Sequence, residues 1–225
     1  MRIITFDIGN SNPHFGIYEN SKLQNILPID SYQFQKGDQR IICSVKKNIS
    51  IEHEFNLSDY KNNSHFFDMP FHYSESIGID RLTVAYKVFK SIKSSTLVID
   101  AGTFMTIDLV DNIEGFKGGW IFPGIKTFLS SYQRGELLPI LNFSSSTNRV
   151  PQSTEEAINN ACHVFLKSVL TETFLNTSPS EIVITGGSGK IIFELLKEIN
   201  LKVELQLDPT LIHDSMNLIH QNHLK

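Results

Sequence analysis

The feature that most constrains the fold is a local pattern that occurs twice, with its aspartates 93 positions apart. In each copy an apolar strand runs into Asp-x-Gly and a small hydroxyl or amide residue, and a second apolar strand follows. The copies are RIITFDIGNSNPHFGIY at 2–18 and LVIDAGTFMTID at 97–108. Strand, glycine-containing turn and strand predict a hairpin. The spacing indicates a duplicated domain, because solenoid repeats span only about 20–50 residues.

The two turns, here called the first turn (Asp7–Ser11) and the second turn (Asp100–Thr103), have the composition of an anion site. Gly102 allows the backbone to approach a ligand, and Thr103 and nearby amides can donate to anionic oxygens. Asp100 would repel a phosphate unless a cation lay between them, so the turn favours a metal-bridged polyphosphate, most simply Mg-ATP. Two such hairpins facing each other would hold a triphosphate from both sides. The alternative is an ordinary turn in which Asp and Gly only end the strands.

Composition narrows the class of protein. A chain of 225 residues with 40% hydrophobic and 20% charged residues has room for one or two globular domains. The formal charge of −4 disfavours nucleic acid as a partner. Cys43 and Cys162 form neither a metal nor a disulfide pattern. Asp7 interrupts any signal-peptide core and no apolar run approaches the roughly 20 residues of a membrane span. We therefore expect a cytoplasmic protein without a membrane partner.

The segment GIDR at 78–81 precedes LTVAYKVFKSI, in which apolar residues recur at helical spacing. This spacing predicts a helix that begins near Asp80 and Arg81. In one interpretation, Asp80 only caps the helix and Arg81 lies on the surface. In the other, both lie at a helix end in a cleft, where the carboxylate takes a proton from a substrate hydroxyl and the guanidinium holds an anionic group.

Two further segments leave alternatives open. The predicted strand at 181–184 is followed by TGGSGK and a helix, which fits neither common nucleotide fingerprint. Such a turn can hold a nucleotide through its amides or be purely structural. The histidines form no metal motif, and we expect His213, His220 and His223 to lie in a solvated C-terminal tail.

The motifs together resemble the type III pantothenate kinase family, of the acetate and sugar kinase/Hsp70/actin superfamily. The matching segments occur in the family's order over most of the chain, at 7–18, 78–81, 100–108, 118–124, 153–158 and 184–187. The resemblance implies an α/β fold of duplicated ribonuclease-H-like (actin-like ATPase) domains, with mixed sheets flanked by helices. It implies an N-terminal domain at 1–95, a C-terminal domain at 96–225 and a homodimer. The implied reaction is ATP-dependent phosphorylation of pantothenate to 4'-phosphopantothenate, the first step of coenzyme A biosynthesis.

The resemblance also implies roles for individual residues. Asp80 corresponds to the general base and Arg81 to the residue that holds pantothenate. Pantothenate contacts are further implied for Gly78, Ile79 and Thr154. ATP contacts are implied for Asp7, Ile8, Gly9, Asn10, Ser11, Gly102, Thr103, Gly186 and Gly187. Asp7 corresponds to the acid associated with Mg²⁺, and Asp100 to the acid linked with a monovalent cation, K⁺ or NH4⁺.

The chain departs from the family ahead of GIDR. Family members often have Tyr and Pro there, whereas Phe71 and Ser74 occupy those places and Tyr73 lies two residues away from the first. Phe71 and Tyr73 are therefore both candidates for lining the pantothenate pocket. The alternative function is a non-catalytic regulatory or accessory protein that binds nucleotide or pantothenate. The complete acidic and basic set favours the kinase, because a binding-only descendant has no physical need for it. A superfamily kinase acting on another hydroxylated substrate is the third interpretation, which the GIDR and STEEAI segments oppose.

Overall fold

A computed structural model describes residues 2–46, 51–92, 94–144 and 150–224. Within these ranges twelve strands and five α-helices form. The strands are β1 (Arg2–Ile8), β2 (His14–Glu19), β3 (Lys22–Pro28), β4 (Asp38–Ser44), β5 (Phe55–Asn56), β6 (His65–Phe66), β7 (Met69–Pro70), β8 (Thr96–Ala101), β9 (Phe104–Asp111), β10 (Gly115–Pro123), β11 (Glu181–Thr185) and β12 (Glu204–Leu207). The helices are α1 (Ile79–Ser91), α2 (Ile125–Ser130), α3 (Thr154–Thr177), α4 (Gly189–Ile199) and α5 (Leu211–His223).

Two five-stranded sheets share one strand order. The first sheet runs β3-β2-β1-β4-β5 and the second runs β10-β9-β8-β11-β12. In the first, β1 pairs antiparallel with β2 and parallel with β4. In the second, β8 pairs parallel with β11, and β11 pairs parallel with β12. Each Asp-x-Gly turn therefore lies at the end of the central strand of its sheet and leads into a neighbouring strand, as the hairpin prediction requires.

The first sheet is covered on both faces, because residues on both sides of β1 are buried. Ile4, Phe6 and Ile8 pack on one face with Phe15 and Ile42. The opposite face carries Ile3, Thr5 and Asp7, and α5 packs against it together with α1. Burying a large apolar side chain contributes about 1.5–3 kcal/mol, so these two layers hold β1 rigidly up to Asp7.

The second sheet packs against helices whose apolar residues recur at helical spacing. In α3, Ile158, Cys162, Leu166 and Leu170 are each four residues apart and all are buried. They form one core with apolar residues of β8, β9, β11, α2 and α4. The side chain of Ser153 accepts a hydrogen bond from the amide of Glu156 and caps α3, as the acidic first turn predicts.

The described residues form two compact units. The first contains residues up to Ser95, Val110–Gly118 and those from Thr210 onward; the second contains Thr96–Leu109 and Gly119–Pro209. The first unit thus includes α5 from the end of the chain, because this helix packs against α1 and β1. The division at residue 95 into two duplicated domains stays a prediction. No helix among the described residues is long and apolar enough to cross a membrane.

The expectation of a solvated C-terminal tail is wrong. His213 and His220 are each 1% exposed, and His223 is hydrogen-bonded to the Tyr86 hydroxyl at 2.7 Å. This segment is mostly polar in sequence, but it forms a helix with an apolar face. Leu211, Met216 and Ile219 are buried on that helix. Tertiary packing therefore encloses residues that local composition assigns to solvent.

Candidate active site

The first turn begins at the end of β1, where Asp7 is the second-to-last residue of the strand. Asp7 pairs in register with His14 across the β1–β2 hairpin, and the side chains of cross-strand partners lie on the same face. The Asp7 Oδ2 atom lies 3.6 Å from His14 Nδ1. Ile8 is buried in the core, so only its backbone can meet a ligand. Gly9 is partly exposed and Asn10 and Ser11 are exposed, as a binding turn requires.

The N-terminus of α1 presents Asp80 beside Arg81. Burial raises the pKa of the Asp80 carboxyl, whereas the amide and the charge of Arg81 act in the opposite direction. The Arg81 amide donates to Asp80 Oδ1 at 2.9 Å. Gly78 precedes the helix, and a Cβ there would lie 2.4 Å from Asp80 Oδ1. Glycine at this position therefore leaves the space that the carboxylate occupies.

The guanidinium of Arg81 contacts two aromatic rings. Its Cζ lies 5.1 Å from the ring centre of Tyr73 and 5.4 Å from that of Phe116, and the side chain is largely buried. Tyr73 is 36% exposed, whereas Phe71 is 4% exposed and forms a β-bridge with Phe116. Of the two aromatic candidates ahead of GIDR, Tyr73 is the more exposed and lies against Arg81, and Phe71 is buried beside Phe116. Ile79 is buried in the first turn of the helix.

Backbone groups surround the second turn. The Thr103 carbonyl accepts from the Gly124 amide at 3.0 Å and also from the Thr127 hydroxyl. A Cβ on Gly124 would lie 2.1 Å from the Gly102 carbonyl oxygen, so only glycine permits this approach. The Ser188 amide donates to the Ala101 carbonyl at 2.9 Å. The turn is therefore held by the segments that precede α2 and α4.

Gly186, in the glycine-rich segment that follows β11, lies directly beside Asp100. It has φ +86°, and a Cβ would lie 2.4 Å from Asp100 Oδ1. Thr185 pairs in register with Asp100, which places the end of β11 beside the second turn. Gly187 is exposed with open space around it, and Thr154 is the exposed first residue of α3. The structure thus brings Asp100, Gly102, Thr103 and Gly186 together within the second unit.

Comparison with known proteins identifies the family. The sequence model of the type III pantothenate kinase family matches residues 28–174. The chain belongs to this family. Type III pantothenate kinases from Flavobacterium johnsoniae and Aquifex aeolicus are each 28% identical to it. The alignments cover 87% of this chain and 89% of the first relative, and 99% of this chain and 99% of the second.

Solved structures with this fold extend beyond the pantothenate kinases. A Campylobacter jejuni protein described as a member of the Baf family of transcriptional activators has a TM-score of 0.69 at 23% identity, over 98% of each chain. An inorganic polyphosphate/ATP-glucomannokinase from Arthrobacter sp. strain KM has a TM-score of 0.51 at 12% identity, over 99% of each chain. At these identities the likeness concerns the fold alone. The predicted duplicated ribonuclease-H-like fold with mixed, helix-flanked sheets is confirmed.

The acidic residues of the two turns suit a cation that is also bound by phosphate, as an ATP-dependent kinase requires. Among the described residues there is no cluster of three or more His, Cys, Asp or Glu side chains that could hold a metal ion by themselves. Mg²⁺ is usually bound by one or two carboxylates together with phosphates and water. Asp7 in the first unit and Asp100 in the second are each a single carboxylate beside a glycine turn, which is the type of donor that binds a cation together with phosphate and water.

Sequence reasoning missed Phe116 and Thr127, and it included Gly124 only as the last residue of the matching segment at 118–124. Phe116 is an apolar residue of a strand, and nothing in its local sequence indicates that it contacts Arg81. Thr127 lies in a helical segment that shows no chemical motif. These contacts arise from packing between distant segments, so no local pattern could identify them.

Proposed function

We propose that this protein transfers the γ-phosphoryl group of ATP to the hydroxyl of pantothenate, which gives 4'-phosphopantothenate and ADP in the first step of coenzyme A biosynthesis. The observation that carries the proposal is the partly buried Asp80 carboxylate at the start of α1, next to an Arg81 guanidinium contacted by two aromatic rings. An acid beside a fixed cation suits a substrate that carries both a hydroxyl and a carboxylate. Membership of the family supports the same reaction.

Asp80 acts as the general base in this proposal. Phosphoryl transfer has a loose transition state, so the hydroxyl proton leaves late and a weak base is sufficient. Burial raises the pKa of Asp80 and so makes the carboxylate a better proton acceptor than an exposed aspartate. Its bond from the Arg81 amide fixes one oxygen, Oδ1, and leaves Oδ2 to face the hydroxyl.

Arg81 binds the pantothenate carboxylate. The guanidinium lies over the rings of Tyr73 and Phe116, and cation–π contacts of this kind restrict the side chain. In-plane N–H groups can then donate to a planar carboxylate in a bidentate pair. Gly78, Ile79 and the Thr154 hydroxyl complete the pantothenate contacts. Phe71 supports Phe116 through the isolated β-bridge between the two residues.

The ATP phosphates bind at the two turns. At the first turn, the phosphates contact backbone and hydroxyl groups of Gly9, Asn10 and Ser11 and the amide of Ile8. At the second turn, they contact backbone and hydroxyl groups of Gly102 and Thr103. Gly186 and Gly187 lie on the adenosine side. Asp7 holds Mg²⁺ and Asp100 interacts with K⁺ or NH4⁺. Bound Mg²⁺ would neutralise the charge that develops on the phosphate oxygens. The enzyme is proposed to be cytoplasmic and to form a homodimer. Light scattering of the purified protein tests the dimer.

The decisive experiment measures ADP release from Mg-ATP in the presence of K⁺, with and without pantothenate, and identifies the product by mass. Pantothenate-dependent ADP and a phosphorylated product are expected. Asp80→Asn should lower kcat by about 100-fold or more, while Asp59→Asn, an exposed aspartate, serves as the control. Turnover of Asp80→Asn close to that of the wild type would remove Asp80 from the role of base.

Arg81 is tested through a KM comparison. Arg81→Ala should raise KM for pantothenate by about tenfold or more and leave KM for ATP nearly unchanged, because a hydrogen-bonded charge contributes about 1.5–3 kcal/mol. A folded protein that binds ATP but turns over no pantothenate would instead favour the regulatory alternative.

A further inference from the structure

A row of polar side chains lies behind the first turn, on the face of the first sheet that α5 covers. It consists of Asp7, His14, His213 and Thr5, and it runs from the exposed edge of the sheet toward α5. His14 lies within the matching segment at 7–18 but receives no role from the resemblance, and Thr5 and His213 lie outside every matching segment. All four residues belong to the first unit. The row therefore connects the carboxylate of the first turn to a helix near the end of the chain.

His14 faces Asp7 without completing a hydrogen bond to it. Its Nδ1 lies 3.6 Å from Asp7 Oδ2, just beyond hydrogen-bond distance. The same nitrogen is buried and has no hydrogen-bond partner among the described residues. A proton on Nδ1 would complete the bond after a shift of about half an ångström, which is small for hydrogen bonds that tighten when a ligand binds.

His213 holds the His14 ring from the side of α5. The two ring centres are 4.8 Å apart, and His213 Nδ1 is 2.8 Å from the Thr5 hydroxyl oxygen. Gly16 makes room for this ring, because a Cβ there would lie 3.0 Å from His213 Nδ1 and 2.8 Å from the Thr5 hydroxyl. A buried imidazole fixed by packing and by a threonine cannot rotate freely, so it limits the orientation of His14.

We propose that His14 is a positioning residue for the first turn: it orients the Asp7 carboxylate toward a metal–nucleotide complex, and His213 fixes the His14 ring. The inference rests on the proposed function, because it assigns a nucleotide-bound cation to Asp7. His14 does not touch the reacting atoms. Side chains that hydrogen-bond a ligating carboxylate set its orientation, and their loss commonly weakens metal binding by about 10–100-fold.

The test measures binding rather than turnover. The probe is Mn²⁺ with a non-hydrolysable ATP analogue, titrated into the full-length wild-type protein and three variants by calorimetry. His14→Leu removes the ring nitrogens and should weaken binding by about tenfold or more. His14→Asn places an amide nitrogen near the position of Nδ1 and should restore affinity to within about threefold of the wild type. His65→Leu, an exposed histidine of the same unit, is the matched control and should leave affinity unchanged.

A purely structural role for His14 predicts a different pattern. Loss of packing would weaken pantothenate and nucleotide binding together and would not be rescued by asparagine. On the proposal, His14→Leu raises the apparent KM for Mg-ATP and leaves KM for pantothenate unchanged. His213→Leu should give a smaller loss of Mn²⁺–nucleotide affinity, and the double variant should bind no more weakly than His14→Leu alone, because His213 acts through His14.

The outcomes separate the two proposals. If the wild type binds the Mn²⁺–nucleotide complex and His14→Leu binds it equally well, the positioning role is overturned and the proposed function stands. Failure of His14→Asn to restore the affinity of a folded protein also overturns it. A wild type that binds no nucleotide overturns both proposals.

Discussion

The first and second turns share one sequence pattern, yet the protein supports them in different ways. Side chains lie on one side of the first turn: His14 faces Asp7, and Thr5 and His213 lie behind it, while one backbone amide, that of Val45, donates to the Ile8 carbonyl. Backbone groups surround the second turn, where the Gly124 amide and the Ser188 amide bind carbonyls on either side of Gly102.

This difference predicts what each turn tolerates. Where the backbone of a turn packs directly against another backbone segment, a single added methyl group should destabilise the fold. Neither segment can move without breaking other hydrogen bonds. A turn held by side chains tolerates added atoms better but depends on which polar groups are present. Gly9 illustrates this, since a Cβ there would meet only Asp7 Oδ1, at 3.9 Å. Substitutions of glycine and of polar residues should therefore separate the two turns.

The largest effect is expected for Gly186→Ala, beside the second turn. The added Cβ would lie 2.4 Å from Asp100 Oδ1 and 2.7 Å from the Ala101 amide nitrogen, and φ is +86°. A left-handed conformation costs alanine about 1–2 kcal/mol and overpacking about 1–3 kcal/mol, so the free energy of unfolding should fall by about 3 kcal/mol. Urea denaturation measures this loss, and nucleotide titration should show weakened binding.

Two other glycines serve as controls for Gly186→Ala. Gly187→Ala adds a methyl group where nothing lies within 4 Å, and it should be nearly neutral. Gly37→Ala has φ +96° and equally open space, so it isolates the conformational cost. If Gly186→Ala proved no more harmful than Gly37→Ala, crowding at Asp100 would have no energetic weight and the second turn would not depend on close backbone approach.

The next effect concerns pH and the histidine behind the first turn. Burial and the neighbouring His14 lower the pKa of His213 from 6.5 to about 3. The unfolded chain then binds a proton that the folded chain does not, so this group's stabilisation is complete above pH 6.5 and declines as pH falls toward 3. The loss between pH 7 and 5 should be about 2 kcal/mol, at about 1.4 kcal/mol per pH unit.

His213→Leu provides the comparison for that pH dependence. Urea denaturation of both proteins at pH 7 and pH 5 should show a smaller loss of stability on acidification in the variant. Equal losses in both proteins would mean that His213 is protonated in the folded state, and the side-chain support of the first turn would need revision.

The sequence predicted what is local and repeated, and it failed where distant segments meet. Both hairpins, the helix at 79–91 and the capped α3 could be predicted because periodicity and capping residues are contiguous in the chain. The contact between Arg81 and Phe116 could not, since 35 positions separate these residues and a strand phenylalanine carries no chemical signal. His213 was assigned to solvent for the same reason: only the packing of α5 on β1 buries it.

A smaller effect is expected for Thr5→Val in the first unit. The variant keeps the shape of the side chain but removes the hydroxyl at 2.8 Å from His213 Nδ1, which leaves that buried nitrogen without this partner. The free energy of unfolding should fall by about 1–2 kcal/mol, the cost of an unsatisfied buried polar group. Urea denaturation at pH 7 measures it. A neutral result would indicate that the polar row behind Asp7 contributes little to stability.

The smallest effect is expected for Thr127→Val, the corresponding change at the second turn. It removes the hydroxyl that donates to the Thr103 carbonyl, yet that oxygen keeps the Gly124 amide at 3.0 Å. Since the acceptor remains satisfied, the loss should be about 0.5 kcal/mol, the lower end for a single hydrogen bond. Thr5→Val and Thr127→Val are the same chemical change, so their ratio in parallel urea titrations directly compares the two supports. A Thr127→Val loss larger than that of Thr5→Val would reverse the comparison, because the second turn would then depend on a side chain and not on its backbone contacts.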